Sequence, residues 1–220
     1  MMRYKSVLLI IMLIPIMHRC TAQKVIVHAF MENRKASTES DTIYYDFNRN
    51  LQWSDFKGKP NENNFAGAVT ASGFAFDSQM KFDGTNIYLN IGVYTFFTKT
   101  DSWRKPQINS EYHLLHEQHH FDITRIGAEE FITEIQKARF TKANYTALLS
   151  SIFDKVYKEN SDIQHLYDKE TNHSINVEKQ LEWNNKIAAE IEKIRQSLVK
   201  NKIFSIQIAS SNIFIFKTNH

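Results

Sequence analysis

The stretch Glu111-Tyr112-His113-Leu114-Leu115-His116-Glu117-Gln118-His119-His120-Phe121-Asp122 packs four of the chain's nine histidines into eight residues. Within it, His116 to His120 has the pattern H-E-x-x-H. Residues four apart share one face of a helix. Two imidazoles so placed can bind one Zn²⁺, and the carboxylate of Glu117 can then reach a water at that ion. The surrounding sequence predicts the helix this requires. The last proline is Pro106 and the last glycine is Gly127, so almost nothing beyond about residue 107 breaks a helix.

Three helices are predicted from that point. The first covers about Ser110 to Ala138, with Leu115, Ile123, Ile126, Phe131 and Ile135 available for burial. The second covers about Asn144 to Tyr167 and the third about Ser174 to Lys200, where Val177, Leu181, Ala188, Ile191, Ile194 and Leu198 recur at helical spacing. Ser174 reads as its N-cap. Upstream the pattern is strand-like: Val25 to Phe30, Ile43 to Phe47, Ala66 to Phe76 and Ile87 to Phe97, with a turn at Asp83-Gly84. The fold class expected is therefore α+β, with a small antiparallel sheet from the N-terminal half packed on long helices of the C-terminal half. Residues 23–200 read as one domain. Residues 201–220 alternate apolar and polar and read as a strand-like extension.

The first 22 residues read as a secretory signal peptide. Arg3 and Lys5 form the basic start, the apolar run is too short to span a bilayer, and Thr21-Ala22 offers a cleavage site before Gln23. Cys20 would be the lipidation point of a lipoprotein, but His18 and Arg19 make a poor context for it. The formal charge of +3 comes from this leader: it holds Arg3, Lys5 and Arg19 and no acid, which leaves 24 basic and 24 acidic residues after it. A neutral mature chain argues against nucleic acid and against an anionic lipid surface as partners. The expected location is the periplasm or the exterior. The one cysteine lies in the leader, so the mature chain has no disulfide to stabilise it.

A catalytic zinc site takes three protein ligands and keeps one position open. Glu134 is a poor third ligand, roughly 21 Å along the helix axis from His120. His113, His116 and His120 together spread too widely for one ion. The third ligand should come from another segment, and Tyr167-Asp168-Lys169-Glu170-Thr171-Asn172-His173-Ser174, read as a polar connector between helices, is the best candidate. His173 leads within it, ahead of Asp168 and Glu170, with His165 further behind; an ordinary loop histidine is an equal reading of His173 on spacing alone. Asp122, well round the helix from His120, reads as structural. Trp53, Trp103 and Trp183 read as core anchors.

His116 to Thr124, the later Tyr167-Asp168-x-x-Thr171-x-His173 segment, Gln180 and Trp183 together resemble the DUF922 family, a bacterial family of predicted secreted zinc-dependent proteases. The upstream Leu51-x-Trp53-x-Asp55-Phe56-x-Gly58-x-Pro60 and Ser102-Trp103 are similar to that family too, so the resemblance spans about residues 43–195. It implies a zincin-like domain, with His116 and His120 as zinc ligands, Glu117 as catalytic carboxylate and His173 as third ligand. The chain departs from the pattern at Arg125 and Glu129, which exchange a Glu and an Arg, and at Ser174, which replaces a Gly. The function expected is an exported zinc metallopeptidase acting on peptide or protein substrates, Glu117 serving as general base. Tyr167, His119 and Tyr112 are candidate oxyanion donors, with packing as their simpler role; Asp168 is a further second-layer candidate. The strand Ile87 to Phe97 could pair with an extended peptide, or be a buried core strand. The alternative function is a non-catalytic envelope protein that binds zinc or a partner on the same fold.

Overall fold

The structure is a computed structural model that describes residues 23–217, with side chains described to residue 200. The expected leader, with Cys20, lies outside the described residues. The fold is mixed α+β: a small sheet from the N-terminal half and three long helices from the C-terminal half. Six strands come first: β1 (Val25–Met31), β2 (Thr42–Tyr44), β3 (Ala68–Val69), β4 (Ser72–Phe82), β5 (Ile87–Thr98) and β6 (Trp103–Arg104). The helices are α1 (Glu111–Lys137), α2 (Tyr145–Thr171) and α3 (Val177–Lys217).

β5 is the centre of the main sheet. β4 runs antiparallel along one edge of it, from Ser72 opposite Phe97 to Phe82 opposite Ile87. The other edge is shared. β1 pairs with Ile87–Val93 in parallel, and β2 pairs with Phe96–Thr98 antiparallel. The sheet is thus mixed, not purely antiparallel as expected. Parallel partners need a long crossover, and the more than fifty residues between β1 and β5, which already hold β2 to β4, supply it. With both edges covered, β5 cannot take a peptide. The expected strand Ala66–Phe76 is split: β3 leaves to pair with β6 in a separate two-stranded sheet, and β4 continues alone.

One face of the main sheet carries Ala29, Phe74, Leu89, Ile91 and Val93 against Ala128, Phe131, Ile132 and Ile135 of α1, and Leu149, Ile152 and Val156 of α2 close the same core. A second cluster joins Ile43, Leu51, Phe56 and Phe97 to Leu114 and Phe121 at the start of α1. A third joins Ile123 and Tyr167 to Trp183 and Ile187, locking α3 onto α1 and α2. Apolar burial at about 25 cal/mol per Å² drives all three. Helices α1 and α2 come close at Gly127, where a Cβ would lie 2.5 Å from Asn160 Nδ2. That nitrogen donates to Ile123 O at 2.8 Å, so the missing side chain is what lets α2 hydrogen-bond to the backbone of α1.

Three expectations about the helices change. α2 runs on to Thr171, so the first part of the supposed connector Tyr167–Ser174 is the end of this helix. Ser174 is not a cap: Asn172, His173 and Ser174 have φ of 48°, 49° and 70°, and the cap of α3 is Asn176, whose Oδ1 accepts from Lys179 N–H at 3.2 Å. A cap residue needs an extended backbone, which Ser174 lacks. Residues 201–217 continue α3 as helix and form no strand; no glycine or proline interrupts the sequence there, and short apolar alternation does not separate the two forms. Among the described residues, no helix is long and apolar enough to cross a membrane.

Candidate metal centre

His116 and His120 stand one turn apart on α1. Asp168, in the last turn of α2, points its carboxylate between them: Oδ1 is 3.1 Å from His116 Nε2 and 3.0 Å from His120 Nε2. Ligand atoms of the three residues all lie within 4.8 Å of one another, a group that could hold a metal ion. His173 stands next to it, with Nδ1 3.4 Å from the same oxygen, but outside the compact set. Asp168, expected behind His173, thus lies inside the compact group, and His173 lies at its border. The reason is the extra turn of α2, which puts Asp168 on a rigid helix four residues after Gln164, facing the two histidines that are likewise four apart.

The other ring nitrogens decide what the centre can hold. His116 Nδ1 is 2.9 Å from Gln180 Oε1, and His120 Nδ1 is 2.6 Å from Gln164 Oε1. Each carboxamide is oriented by its own donors. Gln180 Nε2 gives its protons to Tyr167 OH and Asn184 Oδ1, both at 2.7 Å; Gln164 Nε2 gives its protons to His120 O and Thr124 Oγ1. Both Oε1 atoms are therefore acceptors, both Nδ1 atoms must carry a proton, and in the neutral rings both Nε2 lone pairs face Asp168 Oδ1. Three lone pairs at about 3 Å repel unless a cation lies among them. A metal ion could supply that cation, bound by two imidazoles and a carboxylate. In its absence a proton takes the place. Burial works to lower the His120 pKa, but the hydrogen bond and charge of Asp168, with the charge of Glu117, outweigh it and raise it to about 9. Asp168 is itself held far below the usual carboxylate range, the two imidazoles outweighing its own burial.

Glu117 is buried beside this group. Thr70, in the link from β3 to β4, donates Oγ1–H to Glu117 Oε2 at 2.7 Å, and Glu117 Oε1 has no donor among the described residues. Two clefts flank the centre. One, of about 260 Å³, is lined by His116, Glu117 and Phe65; the other, of about 240 Å³, by His120, Asp168 and Ser72. Ala68 and His173 line both. Gly67 O accepts from Lys105 N–H at 2.8 Å, and Val69 lies opposite Trp103, so residues 67 and 69 face β6. The N–H and C=O of Ala68 then point the other way, toward the open edge of β3.

The remaining candidates take structural places. Tyr167 is fully buried, stacks on His116 with ring centres 4.6 Å apart and donates its hydroxyl to His116 O at 3.3 Å. Burial pushes its phenol pKa up, so it stays protonated. His119 is buried too, with Nδ1 3.0 Å from Asp122 Oδ2. Neither lines the two clefts that flank the centre. Asp122 also accepts from Tyr45 OH and Gln118 Nε2, which is the structural part expected of it. Tyr112 ties α1 to the left-handed segment by donating to Ser174 O at 2.6 Å. Arg125 and Glu129 pair at 2.9 Å across one helical turn. Reasoning from residue patterns missed Gln164 and Thr70 altogether. Gln164 had a usable signal in its spacing of four from Asp168; Thr70 had none. Compared with protein-family models, curated proteins and solved structures, the chain matches none.

Proposed function

We propose that this chain is an exported zinc metallopeptidase with a zincin-like centre. The observation that carries the reading is the convergence of two Nε2 lone pairs and one carboxylate, with a second carboxylate, Glu117, in the adjoining cleft. Export rests on the leader pattern of residues 1–22. His116, His120 and Asp168 would hold the ion. When bound, Zn²⁺ supplies a Lewis acid that polarises a peptide carbonyl and makes water more acidic. Gln180 and Gln164 keep the protons on Nδ1 of the two histidines, which leaves Nε2 free for coordination. Thr70 fixes Glu117 through Oε2, and Oε1 takes the proton that water loses as its oxygen joins the acyl carbon. The same carboxyl then protonates the amine nitrogen as the C–N bond breaks. An extended peptide finds backbone partners in the N–H and C=O of Ala68.

A second reading has its own observation. His173 Nδ1 lies 3.4 Å from Asp168 Oδ1, near enough that a small movement would make it a fourth protein ligand and close a structural site. One comparison separates the two. Glu117→Gln should keep about one zinc per chain while peptide cleavage falls by about 10²- to 10⁴-fold, and His120→Ala should lose the zinc. Zinc content is read by elemental mass spectrometry and cleavage on a peptide library. Unchanged cleavage in Glu117→Gln would sink the catalytic reading; zinc without cleavage in the parent protein would favour the structural one.

A further inference from the structure

The two clefts differ in chemistry, and the difference bears on which peptides fit. The cleft on the His120 flank sets Ser72, Ser161, Gln164 and His165 beside Val69, Phe74 and Tyr157, so polar and apolar groups share its wall. The cleft on the Glu117 flank presents Phe65, Ile108 and Ile175. Phe65 is 72% exposed and Ile175 is 64% exposed, so two large apolar side chains stand in solvent at the rim of a polar centre. Their positions are set by the fold. The Phe65 ring sits edge-on to His173 with centres 5.6 Å apart. Ile108 lies over Gly67, where a Cβ would come within 2.8 Å of Ile108 Cγ1, so the bare backbone of residue 67 is what admits the isoleucine to the wall. Ile175 follows the left-handed segment and donates its N–H to Asn172 O at 3.1 Å. Lys105, also in the lining, has its ammonium turned to Asn64 O at 2.6 Å.

We propose that the cleft formed by Phe65, Ile108 and Ile175 is the subsite for one large apolar side chain of the substrate, adjacent to the bond that is cut. The inference rests on the metallopeptidase reading. Ala68 lines both clefts and offers its backbone between them, so an extended peptide paired there has one side chain beside Glu117. An acidic side chain in that position faces the Glu117 carboxylate with like charge. A basic one pairs with Glu117 and withdraws it from proton transfer. A leucine or phenylalanine does neither, and it covers the exposed Phe65 and Ile175.

Peptide hydroxamates that carry Leu, Ala, Asp or Lys next to the metal-binding group test this on the zinc-loaded protein, with Kd measured by calorimetry. The Leu compound should bind at least about tenfold more tightly than the Ala compound, and the Asp and Lys compounds more weakly still. Phe65→Ala and Ile175→Ala, both at exposed positions, should each cut the Leu advantage to about threefold or less with zinc content unchanged. Equal affinity for the four compounds would overturn the subsite and leave the metallopeptidase reading standing. If no hydroxamate binds a protein that does hold zinc, the ion is closed to ligands, and both fall.

Discussion

Asp168 and His173 share one oxygen contact but have different chemistry around them. Asp168 is charged, held by the last turn of α2 and in contact with both imidazoles. His173 belongs to a turn and is about one-third exposed. Asp168→Asn, which keeps the shape and removes the charge, should therefore weaken zinc binding by more than about 100-fold, whereas His173→Ala should cost about 10- to 100-fold, the effect typical of a group that only supports a ligand. Competition with a coloured chelator measures both. Equal losses would make His173 a ligand in its own right. At this scale His116, Glu117 and His120 were legible in the sequence, because their spacing alone puts them on one helical face. Gln180 was legible only through the family resemblance, and Gln164 not at all. A buried carboxamide has no period or composition that marks it; its role comes from the hydrogen bonds that orient it.

Among the elements, the third helix gives the clearest lesson. The apolar residues Val177 and Leu181 suggested its buried face, yet both are exposed, and the face that packs carries Gln180, Trp183, Ile187 and Ile194. A polar residue needed beneath His116 stands at a core position, so apolar periodicity found the packing face at Ile191 and Ile194 but missed it in the first turns of the helix. The strands show a related limit: β1, β4 and β5 were readable from their composition, but parallel pairing of β1 with β5 depends on contacts far apart in sequence. The turn between α2 and α3 leads to a prediction. Ser174 has φ of 70°, a conformation that costs an ordinary L-residue roughly 1 kcal/mol or more. Glycine relieves that cost but adds some freedom to the unfolded chain. Ser174→Gly should on balance stabilise the protein by about 0.5 kcal/mol, measured as a higher urea midpoint with an unchanged slope. A lower midpoint would mean that the Ser174 side chain contributes more than its backbone costs.

For the whole molecule, the centre makes stability depend on pH in opposite ways with and without metal. In the metal-free protein the raised pKa of His120 means that its protonated form stabilises the fold. That contribution is complete below pH about 6.5 and is lost as pH rises through about 9. Asp168, depressed in pKa, adds stability above pH about 4 that disappears in stronger acid. Zinc held there would compete with the proton at Nε2, so its binding should strengthen over the interval in which the metal-free protein weakens. Melting curves in EDTA should fall in midpoint between pH 6.5 and about 9, while those with zinc should hold level or rise. Parallel curves would show that no ion occupies the space between the histidines.

Order of synthesis gives this arrangement a further meaning. His120 precedes its partner Gln164 by 44 residues, and His116 precedes Gln180 by 64. A chain emerging from the ribosome presents both imidazoles long before the groups that fix their tautomers exist. An ion met at that stage finds only two unconstrained rings, with little to favour one metal over another. The group that could hold an ion is complete only once α2 and α3 lie on α1, so any choice among metals would have to wait for that docking, while the sheet core needs no ion to form.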